Sequence, residues 1–227
     1  MMTRCPDALW CRLQGPLLLA VWGLALGFVM WASGADVAIQ LGLEANYHQG
    51  FNTLMRGLGE LGKGSTQALA CALLALLLAV HARWQGRAPG MAPRLLLAAV
   101  AVFALAGAVN WLLKLGVGRA RPKELLWNGG GPFDAAPLTL DALWWSFPSG
   151  HSCSTFALAV WLGLAFPRWR WPLLAAAVVL SASRFLALTP HYLGDVLAGA
   201  ALGAAVAWAM WIVWAPRLQA PRKGGQR

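Results

Sequence analysis

The residues with types and spacing suited to chemistry fall in three short stretches: "KLGVGRARP" (114–122), "PSGH" (148–151) and "SRFLALTPHYLGD" (183–195). The first offers Lys114 and Arg121, seven positions apart. On a continuing helix that is two turns, which puts both cations on one face. Pro122 biases Arg121 away from helix and ends the run. Such a pair can hold an anion, or it can snorkel to lipid headgroups. The second stretch sets Ser149, Gly150 and His151 immediately before a long apolar segment. A helix N-terminus presents unsatisfied N–H groups and a partial positive charge. Gly150 lets a ligand approach the backbone, and a phosphate suits such a place. His151 could protonate a leaving oxygen. Taken alone, a capping serine and an interfacial histidine explain the stretch more simply. The third stretch carries Arg184, His191 and Asp195. His191 and Asp195 are i, i+4, with Thr189 and Pro190 read as the N-cap and first position of their helix. A carboxylate there fixes the tautomer of the imidazole and leaves its other nitrogen free to attack. A buried His–Asp pair also occurs as a purely structural feature. Three cations, two histidines, one carboxylate and a glycine-bearing helix start together suit phosphoryl transfer without a metal. The cations would neutralise phosphate oxygens while one histidine attacks phosphorus and the other protonates the leaving alcohol.

These residues need a scaffold. The chain has 227 residues, 59% hydrophobic and only 11% charged. Soluble domains are nearer a quarter charged. Apolar runs of spanning length recur near 15–34, 64–82, 95–115, 149–166, 172–189 and 191–214. Backbone satisfaction in lipid makes each a helix. The expected fold is therefore all-α, a polytopic six-transmembrane-helix bundle. It is read as one domain over 1–227, with its core motifs at 114–195 and a basic tail at 216–227. The first run has arginines before it and "ASGA" after it, as a signal peptide does, but its apolar stretch is longer than a signal core. Tryptophans 111, 145, 169, 171 and 214 lie at the ends of runs, as interfacial anchors do.

The formal charge of +10 would suggest nucleic acid in a soluble protein. Here eleven of the eighteen Lys and Arg fall on one side of the membrane, in the N-terminus, the 83–94 and 167–171 connections and the tail. The positive-inside rule then puts both termini in the cytoplasm, and the motif-bearing ends of the spans outside. No nucleic-acid partner is expected. The outer side also carries "YHQGFNTLMRGLGELG", an amphipathic helix suited to the interface, and a long 116–148 loop. The middle of that loop, "NGGGPFDAAP", reads as flexible. Cys5, Cys11, Cys71 and Cys153 have no metal-ligand spacing and are read as packing residues, not as a zinc site or a disulfide framework.

The three stretches resemble, in order and at the right span ends, the signature motifs of the type-2 phosphatidic-acid phosphatase family. These are integral membrane lipid phosphatases related to the vanadium haloperoxidases. The resemblance covers about residues 110–200 and implies roles position by position. Lys114 and Arg121 match phosphate-binding cations. Ser149 and the Gly150 backbone match phosphate contacts, and His151 matches a general acid. Arg184 matches a phosphate ligand, His191 a nucleophile that becomes phosphohistidine, and Asp195 its orienting partner. The family needs no metal or other cofactor. One departure stands out: six residues separate Arg184 from His191, where the family pattern has five. In a continuous helix the extra residue would rotate Arg184 by about 100°, but the turn at Pro190 could absorb it.

The expected function is metal-independent hydrolysis of a lipid phosphomonoester or pyrophosphate at the outer face of a bacterial inner membrane. The partners are the bilayer and a membrane lipid phosphate. Polyprenyl pyrophosphate, phosphatidylglycerol phosphate, phosphatidic acid and lipid A phosphates all fit. The alternatives from other classes are a lipid phosphotransferase, and a non-enzymatic lipid-phosphate binder or transporter on the same bundle.

Overall fold

The computed structural model describes residues 9–219. Arg4, Cys5 and positions 220–227 of the basic tail lie outside the described residues. The described chain is helical almost throughout, with no strand beyond one isolated bridge between Arg119 and Ala135. The helices are α1 (Leu9–Ala32), α2 (Ala35–Ala45), α3 (Gln49–Leu61), α4 (Gly64–Trp84), α5 (Met91–Val117), α6 (Pro122–Trp127), α7 (Gly150–Ala165), α8 (Arg170–Leu186) and α9 (Leu193–Gln219). Each apolar run of the sequence became one of α1, α4, α5, α7, α8 and α9. Four of them, α1, α4, α5 and α9, are long and apolar enough to cross a membrane. With 16 and 17 residues, α7 and α8 are shorter. At 1.5 Å per residue they fall short of the ~30 Å hydrocarbon layer.

The bundle is built around α7 and α9, which pack on each other. The outer helix α1 runs along α9, while α5 and α8 flank α7. Small residues decide these approaches. A Cβ at Gly203 would lie 1.9 Å from the Cys153 carbonyl oxygen, and one at Gly199 would lie 2.3 Å from that of Ser149. The backbones of α7 and α9 therefore touch where the sequence reads "GAALGAA", the geometry small residues permit between membrane helices. Trp161 is fully buried, donates its indole N–H to the Leu95 carbonyl (3.0 Å), and meets Trp211 and Trp214 edge-on. Trp214 thus packs against the core and does not serve as a free interfacial anchor. Large apolar side chains on α1 and α4 remain exposed, as a lipid-facing surface requires.

Four local expectations are corrected. Helix α5 stops at Val117, where Gly118 takes the left-handed conformation and donates its N–H to the Lys114 carbonyl. Lys114 and Arg121 therefore do not share a helical face. Arg121 follows a reversal of the chain and caps α6. Helix α9 begins at Leu193, so His191 sits in the preceding connection. Thr189 and Pro190 lie in a turn upstream and do not serve as N-cap and first helical residue. The "NGGGPFDAAP" segment is tied back to the motif by backbone bonds. Ala120 donates to the Asp134 carbonyl and Ala136 to the Gly118 carbonyl, at 3.0 and 2.8 Å. Finally, Cys11 is disulfide-bonded, whereas Cys71 and Cys153 are free buried thiols.

Candidate active site

Four helix ends converge at one end of the bundle: the C-termini of α5 and α8, and the N-termini of α7 and α9. Each predicted residue sits on one of them or in the connection beside it. Ser149 is the N-cap of α7, and its Oγ accepts from the Ser152 N–H at 3.5 Å. Its own N–H donates to the Asp195 carbonyl at 2.9 Å, which ties the start of α7 to the start of α9. Lys114, in the last turn of α5, reaches across and donates to the carbonyl oxygens of Trp145 (2.6 Å) and Ser146 (3.4 Å). Its Cε would lie 3.8 Å from a Cβ at Gly150, so the lysine lies directly beside that backbone.

The fully buried Asp195 is the best-held group. Its Oδ1 accepts from Arg119 Nη1 at 2.7 Å, and its Oδ2 from Ser146 Oγ (2.5 Å) and the Tyr192 N–H (2.9 Å). The His191 Nδ1 lies 3.7 Å from the same Oδ2 and has no hydrogen-bond partner. The carboxylate therefore faces Nδ1 at slightly more than hydrogen-bonding distance, leaving Nε2 as the free nitrogen. His191 is 3% exposed and lies outside the helical spans. Burial pushes its imidazole down, to about 3, against the upward pull of Asp195, and the nearby Lys114 and Arg121 push the same way as burial. At neutral pH the ring is uncharged and nucleophilic.

His151, in the first turn of α7, lies in the field of Arg184, Arg121, Lys114 and Lys63. Its buried Nε2 has no partner. Arg121 and Arg184 line one cavity of about 300 Å³, with Lys123, Leu143, Thr189 and Pro190 on its other sides. The Nε of each arginine is buried and unbonded. Burial lowers the Arg121 pKa, with Asp195 opposing the shift. Arg184 is steadied by α3: its Nη1 lies 4.0 Å from Glu60 Oε1, and a Cβ at Gly59 would come within 2.6 Å of the same nitrogen. The extra residue before His191 is taken up after α8 ends, where Leu188 adopts φ 68° in the left-handed region. A non-glycine residue there is strained. Its carbonyl is held by Gln40 Nε2 from α2.

All eight predicted residues thus gather at this end of the bundle. Several partners were not singled out from the sequence: Arg119, Asp36, Gln40, Ser146 and Glu60. Asp36 and Gln40 are i, i+4 on α2, and both are fully buried. Polar side chains repeating every four residues, at Asp36, Gln40 and Glu44, between apolar ones were the available signal. Arg119 stood inside the first motif between better-known neighbours. Among the described residues, no group of three or more His, Cys, Asp or Glu is arranged to hold a metal. The arrangement can grip a tetrahedral anion through cations and the start of α7, and can present His191 Nε2 to it.

Comparison with known proteins shows what the chain is similar to. Lipid A 1-phosphatases of Rhizobium johnstonii (strain DSM 114642 / LMG 32736 / 3841) and Rhizobium etli (strain ATCC 51251 / DSM 11541 / JCM 21823 / NBRC 15573 / CFN 42) are similar over 93 and 92 residues, at 41% and 40% identity. Those alignments cover 41% and 40% of this chain, and only 37% and 38% of the relatives. The crystal structure of a transmembrane PAP2-type phosphatidylglycerolphosphate phosphatase from Bacillus subtilis superposes with a TM-score of 0.63 at 23% identity. The superposition covers 92% of this chain and 98% of that one, a likeness of fold. The sequence profile of the PAP2 superfamily matches residues 95–219, more than half of the chain and all three motifs, so the chain belongs to the PAP2 superfamily.

Proposed function

We propose that this protein is an integral membrane lipid phosphatase that works through a phosphohistidine on His191, without a metal. One observation carries the reading: His191 and Asp195 face each other at 3.7 Å within the field of Lys114 and Arg121, at the junction of four helix ends. In the first step the Nε2 lone pair attacks phosphorus, the bond from phosphorus to the lipid oxygen breaks, and His151 gives that oxygen a proton. In the second step water attacks phosphorus while His151 takes its proton, the P–Nε2 bond breaks to return the lone pair to His191, and inorganic phosphate leaves. Lys114, Arg121, Arg184, Ser149 and the Gly150 backbone bind the phosphate, and their fixed charges stabilise the five-coordinate transition state.

The six apolar helices are taken as six crossings, with the short α7 buried inside the bundle and the short α8 on its outer face. Both termini are cytoplasmic and the site faces outward, where the basic-residue bias puts it. The single domain extends over the whole chain. Among lipid phosphates, the 1-phosphate of lipid A is the first candidate, because the two Rhizobium relatives are lipid A 1-phosphatases. The test is phosphate release by the purified protein in detergent with EDTA, over lipid A, phosphatidylglycerol phosphate, phosphatidic acid and a polyprenyl pyrophosphate. Turnover in EDTA that disappears in His191→Ala is the expected result. Turnover surviving in His191→Ala would refute the phosphohistidine. Label passed to a second lipid would indicate a phosphotransferase, and binding without turnover a carrier.

A further inference from the structure

Asp36 lies on α2, about eighty residues before the first motif, yet it is 1% exposed and its side chain ends at the candidate site. Its Oδ2 accepts from Arg119 Nη1 at 2.8 Å, and the same nitrogen donates to Asp195 Oδ1 at 2.7 Å. Its Oδ1 accepts from the Gly194 N–H at 2.8 Å, in the residue just before Asp195. Arg119 is itself 1% exposed, clasped between the rings of Trp31 and Tyr192 at 5.0 and 4.0 Å from their centroids. Among the described residues its Nε and Nη2 have no hydrogen-bond partner, so one nitrogen holds both carboxylates. Gly194 is part of the fit, since a Cβ there would meet Asp36 Oδ2 at 2.6 Å.

We propose that Asp36 and Arg119 are positioning residues that set the place and the charge of Asp195 beneath His191. The proposal rests on His191 being the nucleophile. The physical case has two parts. Asp195 has an acceptor bond on each oxygen, and only Arg119 holds Oδ1, so the guanidinium fixes the rotation that aims Oδ2 at His191 Nδ1. Two carboxylates around one guanidinium also leave one net negative charge under the ring. When Nε2 bonds to phosphorus and Nδ1 keeps its proton, the ring becomes a cation. Lys114 and Arg121 face it from α5 and the cap of α6, and both oppose that cation. The second carboxylate, Asp36, tips the balance back. Purely hydrophobic anchoring of α2 would need no charge at this point, and burying three charges costs several kcal/mol unless they are paired.

The test compares charge with shape. In Asp36→Asn the bond to Gly194 survives and the charge is lost. Arg119→Gln removes the cation, and Arg119→Lys keeps it. Each is scored by melting temperature, by kcat and KM for lipid phosphate, and by the affinity for orthovanadate, a phosphate analogue that takes the five-coordinate geometry. The expected result is a kcat loss of about 10–100-fold in Asp36→Asn and Arg119→Gln, taken by analogy from the range seen when outer partners of metal-binding histidines are removed. KM should hold within about threefold, since the phosphate ligands are untouched. Orthovanadate affinity should fall with kcat, and Arg119→Lys should retain most of both. Equal loss in Arg119→Lys and Arg119→Gln overturns the proposal, as does a folded Asp36→Asn with unchanged kcat. If Asp36→Asn does not fold, the comparison of the two Arg119 variants decides. If none folds, the cluster is structural and the proposal fails. A wild type that binds orthovanadate but hydrolyses no lipid defeats the phosphatase reading alone, and vanadate affinity then judges the positioning.

Discussion

Consider Gly203→Ala. The new Cβ would sit 1.9 Å from the Cys153 carbonyl oxygen, whereas real Cβ atoms keep at least 3.0 Å from such an atom. The obstacle is backbone, so no side chain can swing aside. Helices α7 and α9 must part by about 1.1 Å at this level. Cys153 is in the first turn of α7, two residues after His151, and Ser149 is bonded to Asp195 across the same seam. The separation therefore moves the start of α7, the proposed phosphate cradle, away from His191. A displacement near 1 Å typically costs about 10²-fold in rate. Overpacking of this kind costs about 1–3 kcal/mol of stability. The assay is phosphate release at saturating substrate, beside thermal unfolding of the same preparation in detergent. Gly42→Ala is the control, since a Cβ there meets nothing within 4 Å on helix α2. It should be neutral or stabilising by up to ~1 kcal/mol from helix propensity. A folded Gly203→Ala with kcat within about threefold of wild type would refute the view that the α7–α9 seam holds the catalytic geometry.

Other expectations follow from the same geometry. Burial keeps His191 uncharged, so the acid limb of kcat/KM should have its midpoint below the 6.5 of free imidazole. A limb at or above 6.5 contradicts a neutral buried nucleophile. Ser146→Ala removes the 2.5 Å bond to Asp195 Oδ2 but leaves Arg119 and the Tyr192 N–H in place. It should lower kcat by about tenfold, roughly one charged hydrogen bond, and an unchanged rate shows that bond is redundant. Gly59→Val crowds Arg184 Nη1 and Cδ, each within 3 Å of the new Cβ, and should raise KM more than it lowers kcat. An effect on kcat alone would mean that Arg184 acts in the transition state and not in ground-state binding.

The sequence carried the helices and pointed to the residues that gather at one end of them. Lipid leaves an apolar run no option but helix, so each of the six runs became one, from α1 to α9. The eight residues chosen for their types at 114, 121, 149, 150, 151, 184, 191 and 195 meet at one end of the bundle. What failed was local continuation. A seven-residue spacing seemed to put Lys114 and Arg121 on one face, but Gly118 in the left-handed conformation ends α5 between them. Likewise the His191–Asp195 spacing suggested one helix, but Asp195 instead accepts from the Tyr192 N–H and caps the start of α9.

Only the tertiary structure decided who stands behind the candidate site residues. Asp36 is 83 positions from Arg119 and 159 from Asp195 in the chain, and no spacing rule connects them. The three meet because α1 packs along α9 and turns at Gly34 into α2, which brings a carboxylate under the α9 N-terminus. Residue type and local periodicity act over one or two helical turns. The partners of a buried charge are set by which helix surfaces can approach closely, and that depends on glycines whose neighbours lie in another helix.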